Sequence, residues 1–133
     1  MNPKKIQNLR RLAFEKQGCL CYYCQFPMWE KDPAEFAVGF ELPIRLAKYL
    51  QCTAEHLVAQ QDEGTDTVDN IVAACLWCNR LRHLGRSKKA PGPLAYKARV
   101  AQLVRQGKWH PIASCKGAEK IKFDPVRSEV SCP

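Results

Sequence analysis

Asn70-Ile71-Val72-Ala73-Ala74-Cys75-Leu76-Trp77-Cys78-Asn79-Arg80-Leu81-Arg82-His83-Leu84 is the stretch on which the reading of this 133-residue chain turns. Its apolar positions Leu76, Trp77, Leu81 and Leu84 recur at helical spacing, and Gly85 follows as a stop, so residues 70–84 are predicted to form one helix. On that helix Asn79 and His83 stack on one face, a turn apart. Asn70 stands where a helix N-cap is expected. Cys75 and Cys78 sit just ahead of Asn79 and have the bite of a metal-binding turn.

Working outward, a second such pair, Cys21 and Cys24, lies far upstream. Two Cys-x2-Cys pairs supply four thiolates, which close a tetrahedral zinc shell and leave no position open for chemistry. The expected ion is therefore structural Zn²⁺, and it contributes folding energy. A disulfide framework is the competing reading. Met1 to Leu20 is basic and amphipathic without an apolar h-region, so no secretory signal supports it. Cys19 and Cys52 lie close enough in sequence to stand in for a named ligand. Cys115 and Cys132 read as free thiols.

Between the pairs, Cys52-Thr53-Ala54-Glu55-His56-Leu57-Val58 is β-prone. Gln60 to Asp69 is polar, contains Gly64 and reads as a loop, with a short second strand expected at Thr67-Val68. A helix is expected around Glu41 to Leu50. Asn2 to Gln17 reads as a basic helix with Ile6, Leu9 and Leu12 on one side and Gly18 after it. Leu94 to Gln106 follows Pro91-Gly92-Pro93 as another, with Tyr96, Val100, Leu103 and Val104 on its core face. A short strand is expected near Ile121-Lys122-Phe123. His110 has no partner motif and reads as structural or phosphate-facing.

Glu55-His56, Asn70, Asn79 and His83, framed by the four cysteines, resemble the HNH nucleases, in the four-cysteine, zinc-clamped form of their ββα-metal finger. The resemblance covers about residues 19–84. It implies Glu55 as the first ligand of a catalytic cation, His56 as general base, and Asn70 as the loop residue that positions the base. It implies Asn79 as the helix ligand and His83 as a second one, with Cys21, Cys24, Cys75 and Cys78 on the zinc. Ala59 stands where many members carry Pro, and the segment from Cys24 to Glu55 is long. The expected fold is a small α+β domain: a ββα-metal finger with a four-cysteine zinc site, flanked by helices. One domain is expected over 1–133, with a basic N-terminal helix at 1–18, the zinc-clamped core at 19–84 and a basic helical extension at 85–133.

The chemistry makes sense on its own terms. Phosphodiester hydrolysis needs an activated water, and a neutral imidazole can take its proton near physiological pH. A divalent cation stabilises the leaving oxygen. One carboxylate and one amide oxygen suit Mg²⁺; ligation by His83 shifts the preference toward Mn²⁺, Ni²⁺ or Zn²⁺. Glu55 and His56 are adjacent, so a regular strand would point them to opposite faces; a bulge or a twisted strand end must reunite them.

The chain carries 21 Lys plus Arg against 13 Asp plus Glu, a formal net charge of +8. Acids concentrate in residues 30–69 and bases in residues 80–122, where Glu119 is the one acid. Such a basic run suits a polyphosphate backbone, DNA in preference to RNA. Arg80, Arg82, Arg86, Lys88 and Lys89 are the expected phosphate contacts. A homodimer would be one route to double-strand cutting. No apolar run is long enough to cross a membrane, and a cytoplasmic protein of bacterial or phage origin is expected. The competing function is a non-catalytic zinc module that binds nucleic acid through the same basic surface, or a partner-dependent subunit of a phage or defence system.

Overall fold

The computed structural model describes residues 2–84, 90–115 and 117–122. Helix α1 (Pro3–Lys16) starts on Asn2, whose side chain accepts from the Lys5 backbone N–H, with proline at the first helical position. It ends before Gly18, at φ +66°. Helix α1 lies across both strands of an antiparallel hairpin, β1 (Cys52–His56) and β2 (Ile71–Cys75). The register pairs Cys52 with Cys75, Ala54 with Ala73, Glu55 with Val72 and His56 with Ile71.

The run from Asn70 is thus not one helix. Ile71 to Cys75 is a strand, and only Leu76 to His83 forms helix α4. Isoleucine, valine and two alanines here sit on a hairpin with four of the five residues buried, and tertiary pairing decides the conformation. Cys75 is the turning point, since its Sγ accepts from the Cys78 N–H and caps α4. The second strand of the hairpin lies here, not at Thr67-Val68, and Asn70 caps no helix. Gly85, the expected stop, lies outside the described residues.

The outer edge of β2 is not left open. The Gln17 side-chain amide takes both backbone groups of Ala73, donating to its carbonyl at 2.8 Å and accepting from its N–H at 3.0 Å. The Tyr22 N–H donates to the same carbonyl. These contacts protect the edge from pairing with another chain.

The long insert after Cys24 holds α2 (Pro33–Gly39), which the sequence reading missed, then α3 (Ile44–Ala47) and a 3₁₀ turn over Lys48–Leu50. Trp29 fastens the insert to the start of β1: its backbone pairs around Gln51, and its indole N–H donates to the Ala47 carbonyl at 2.7 Å. Helix α5 (Pro93–Arg105) buries Tyr96 and Val100 as expected. Residues 118–122 form a helix, α6 (Ala118–Lys122), in place of the expected strand at Ile121-Lys122. Phe123 and Cys132 lie outside the described residues. His110 is structural: it is buried, and its Nδ1 accepts from the Ile112 N–H.

Candidate functional site

Cys21, Cys24, Cys75 and Cys78 come together, all buried, with their four sulfurs within 4.8 Å of one another. Cys24 Sγ and Cys75 Sγ are 3.9 Å apart. A tetrahedral zinc with bonds of about 2.3 Å sets its sulfurs roughly 3.8 Å apart, so the cluster has the dimensions such an ion needs. Burial pushes the Cys24, Cys75 and Cys78 thiols up. Burial also opposes ionisation of Cys21, but hydrogen bonds from the three neighbouring thiols and the Cys75 N–H bring it well below the usual range. A divalent cation is what would let all four ionise together. Backbone N–H groups of Tyr23 and Cys75 donate to Cys21 Sγ, and the Trp109 indole N–H donates to Cys78 Sγ at 3.2 Å. Neither Cys19 nor Cys52 belongs to the cluster. Cys52 is an ordinary buried thiol, pushed up to about 12 by burial.

One residue of the first cysteine pair's turn reaches Glu55 on β1. Tyr23 lies between Cys21 and Cys24, and its hydroxyl donates to Glu55 Oε2 at 3.0 Å. Burial, and then the Glu55 carboxylate, hold the Tyr23 phenol protonated. Glu55 is 1% exposed. Its Oε2 also receives Arg82 Nη1 at 3.1 Å, while Oε1 meets His83 Nε2 at 3.0 Å.

Arg82, expected among the phosphate contacts, is turned inward instead, at 2% exposure. Besides Glu55, its guanidinium donates to the backbone carbonyls of His56, Leu57 and Pro91. It fixes the end of β1 and the carboxylate on it. Arg80, on the outer face of α4, is exposed, while Arg86, Lys88 and Lys89 lie outside the described residues.

Glu55, His56, Asn79 and His83 line one open hollow of about 420 Å³, together with Ala54, Ala59, Gln60 and Gln61. The strand register is unbroken through Glu55 and His56, so no bulge reunites them. His56 is the last residue of β1, and the hollow sits over the strand's end, where both neighbours reach it. Asn79 donates to Thr53 Oγ1 and the Ala54 carbonyl, at 3.0 and 3.1 Å. A carbonyl only accepts, so the amide nitrogen is the atom facing it, and Asn79 Oδ1 is left for another partner. Glu55 Oε1 and His83 Nε2, 3.0 Å apart, match the separation of adjacent ligands on an octahedral cation with bonds of about 2.1 Å. Glu55, Asn79 and His83 therefore form a donor set that could hold one divalent ion.

Asn70 builds the loop around His56. Its side chain accepts from the Val58 N–H at 2.8 Å and donates to the carbonyls of Val58 and Thr65 at 3.0 and 2.9 Å. Gly64 is required there, because a Cβ would lie 1.7 Å from the Val58 carbonyl oxygen. His56 Nε2 meets Asp66 Oδ1 at 2.8 Å. That bond holds the Asp66 carboxyl below its usual range.

Residues 43–84 match the family model of the HNH endonucleases. The match spans 42 of the 133 residues, and that segment is similar to the HNH domain. The match takes in Glu55, His56, Asn70, Asn79, His83, Cys75 and Cys78. Cys21, Tyr23 and Cys24 precede it, and the tertiary structure brings them to the HNH segment. No curated protein and no solved structure matches the chain. HNH nucleases act on nucleic acid and use divalent metals, and the four-cysteine cluster, two of whose members lie in the matched segment, has the make-up of a zinc site. Among the described residues no helix is long and apolar enough to cross a membrane. Sequence reasoning missed Tyr23 and Asp66 and gave Arg82 another role. Tyr23 carried one signal: an aromatic hydroxyl inside a Cys-x2-Cys turn.

Proposed function

We propose that the protein is a metal-dependent endonuclease that hydrolyses phosphodiester bonds in nucleic acid, with DNA as the preferred substrate. The observation that carries this reading is the convergence of Glu55, His56, Asn79 and His83 on one hollow, with Oε1 and Nε2 set at 3.0 Å. A binding module has no need of that arrangement.

A bound divalent cation would supply Lewis-acid stabilisation of the phosphate and of the departing 3′ oxygen. Glu55, Asn79 and His83 would hold it. Tyr23 and Arg82 keep Oε2 engaged, so that Oε1 is the oxygen offered to the hollow. His56 takes the proton from the attacking water. The phosphorus–3′-oxygen bond breaks, giving a 3′-hydroxyl and a 5′-phosphate. Arg80 is placed to contact the backbone near the site, and a single site on so small a fold cuts one strand per encounter. The zinc cluster acts as a frame: Cys78 precedes Asn79 on α4, and Tyr23 bridges from the Cys21–Cys24 turn to Glu55.

The test is relaxation of supercoiled plasmid by purified protein with Mg²⁺, Mn²⁺ or Ni²⁺, with EDTA, and beside His56→Ala. Metal-dependent nicking that disappears in His56→Ala, with zinc content and DNA affinity retained, is the expected result. Equal cleavage by the variant would refute the assignment of the base. Tight DNA binding without cleavage by either protein would make the chain a zinc-binding nucleic-acid module.

A further inference from the structure

Asp66 lies in the polar loop between the strands and has no place in the motif that the sequence reading singled out. Its Oδ1 meets His56 Nε2 at 2.8 Å, and it also accepts from Gln60 Nε2 at 3.2 Å. We propose that Asp66 is a positioning residue for the base. It holds the His56 ring with Nε2 protonated, so that Nδ1 presents the lone pair that receives the proton of water. The proposal rests on the endonuclease reading and names the atom that does its proton transfer.

The hydrogen-bonding capacity of each atom fixes the tautomer. A carboxylate only accepts hydrogen bonds, so the ring nitrogen beside it must donate. In a neutral imidazole the other nitrogen is then bare and basic. His56 Nδ1 has no hydrogen-bond partner among the described residues, and the ring lines the hollow that holds Glu55, Asn79 and His83. The hydrogen-bonded pair is partly enclosed, with side-chain exposures of 15% for His56 and 21% for Asp66.

The loop is built to deliver this carboxylate. Asn70 ties Val58 to Thr65, the residue before Asp66, with three hydrogen bonds. Gly64 lets the chain pass against the Val58 carbonyl where a side chain would collide. The hydroxyls of Thr65 and Thr67 bond to each other at 3.0 Å across Asp66. The Asn of the motif therefore acts on the base through this loop, with Asp66 as the last link.

The proton balance is simple. The water oxygen forms a bond to phosphorus as its proton passes to His56 Nδ1. The ring becomes an imidazolium, whose positive charge faces the Asp66 carboxylate. The 3′ oxygen leaves phosphorus and is protonated from solvent, and the ring returns its proton to solvent afterwards.

The experiment uses the zinc-loaded full chain, ¹⁵N-labelled at histidine, as wild type, Asp66→Ala and Asp66→Asn. The His56 ring signals are assigned by their absence in His56→Ala. The wild type is expected in the Nε2–H form, with a downfield, slowly exchanging ring proton that Asp66→Ala loses. Asp66→Ala should also slow single-turnover cleavage by roughly 10–100-fold, the range typical of residues that orient a reacting group from behind. Zinc content and duplex affinity in EDTA should stay unchanged. Asp66→Asn keeps an acceptor oxygen and should fall between the two.

A wild-type ring protonated at Nδ1 would overturn the proposal. So would cleavage by Asp66→Ala within about twofold of wild type while His56→Ala is inactive, since orienting residues cost more than that. If the wild type does not cleave at all, the endonuclease reading fails, and the ring proton alone still decides whether Asp66 orients His56.

Discussion

Replacing Arg82 by methionine separates two roles that the sequence leaves indistinguishable. Arg80 and Arg82 are neighbours on α4, both basic, both expected to touch phosphate. In the structure Arg80 is exposed, whereas Arg82 is buried beside Glu55 and bonds to carbonyls of His56, Leu57 and Pro91. Methionine keeps much of the buried stem but leaves the Glu55 carboxylate without its cation. Breaking a buried pair from one side costs about 3–5 kcal/mol. The lost bonds to the half-buried carbonyls of His56, Leu57 and Pro91 would add about 0.5–1.5 kcal/mol each. The lower figure is already a large share of the roughly 5–15 kcal/mol that holds a domain together. At this chain length it corresponds to a fall in melting temperature of about 10–20 °C. The assay is thermal and urea unfolding at a fixed excess of zinc. Arg80→Met serves as the control and should stay within about 0.5 kcal/mol of wild type. Arg80→Met should instead weaken DNA binding and reduce its salt slope by about one unit. The double variant Arg82→Met/Glu55→Gln should recover part of the loss, because no buried charge is stranded. A cost below about 1 kcal/mol for Arg82→Met, equal to that of a surface arginine, would refute the clamp.

Other outcomes follow from the same contacts. Tyr23→Phe removes one donor to a buried carboxylate and should cost about 1.5–3 kcal/mol in urea unfolding while leaving zinc stoichiometry intact. Cys75→Ser should lose zinc and the folded state together, whereas Cys52→Ser, outside the cluster, should keep one zinc per chain by metal analysis. Burial lowers His110 to about 4 from an ordinary value of 6.5. The folded state therefore binds fewer protons there, so this contribution is complete above about pH 6.5 and is lost as pH falls toward 4. It amounts to about 3 kcal/mol, and unfolding free energies of His110→Gln should decline less over that window than those of wild type.

The four-cysteine cluster, the β1 strand with Glu55 and His56, the flanking helices and the α4 helix are legible because each rests on local pattern: ligand spacing, a β-prone run, caps and apolar periodicity. The start of α4 was misplaced by several residues. Ile71 to Cys75 is compatible with either conformation, and the pairing with β1 supplies the deciding hydrogen bonds. The first helix of the insert, α2, leaves little for sequence to show: Asp32-Pro33 is a good helix start, but seven residues give periodicity little room.

The sequence by itself determined the donor chemistry: which thiols, which carboxylate, which imidazoles, at spacings that a hairpin and a helix can present. Tertiary structure alone decided which atoms of those groups stay free. Glu55 offers Oε1 because Tyr23 and Arg82, 32 residues before it and 27 after, converge on Oε2. His56 has its Nε2 engaged because a loop closed by Asn70 swings Asp66 against it. Arg82 differs from Arg80 only by the side of α4 on which it falls. The physical reason is common to all three. Residue type sets what a group can bond to, but burial and non-local contacts set which bonds form, and no local pattern records them.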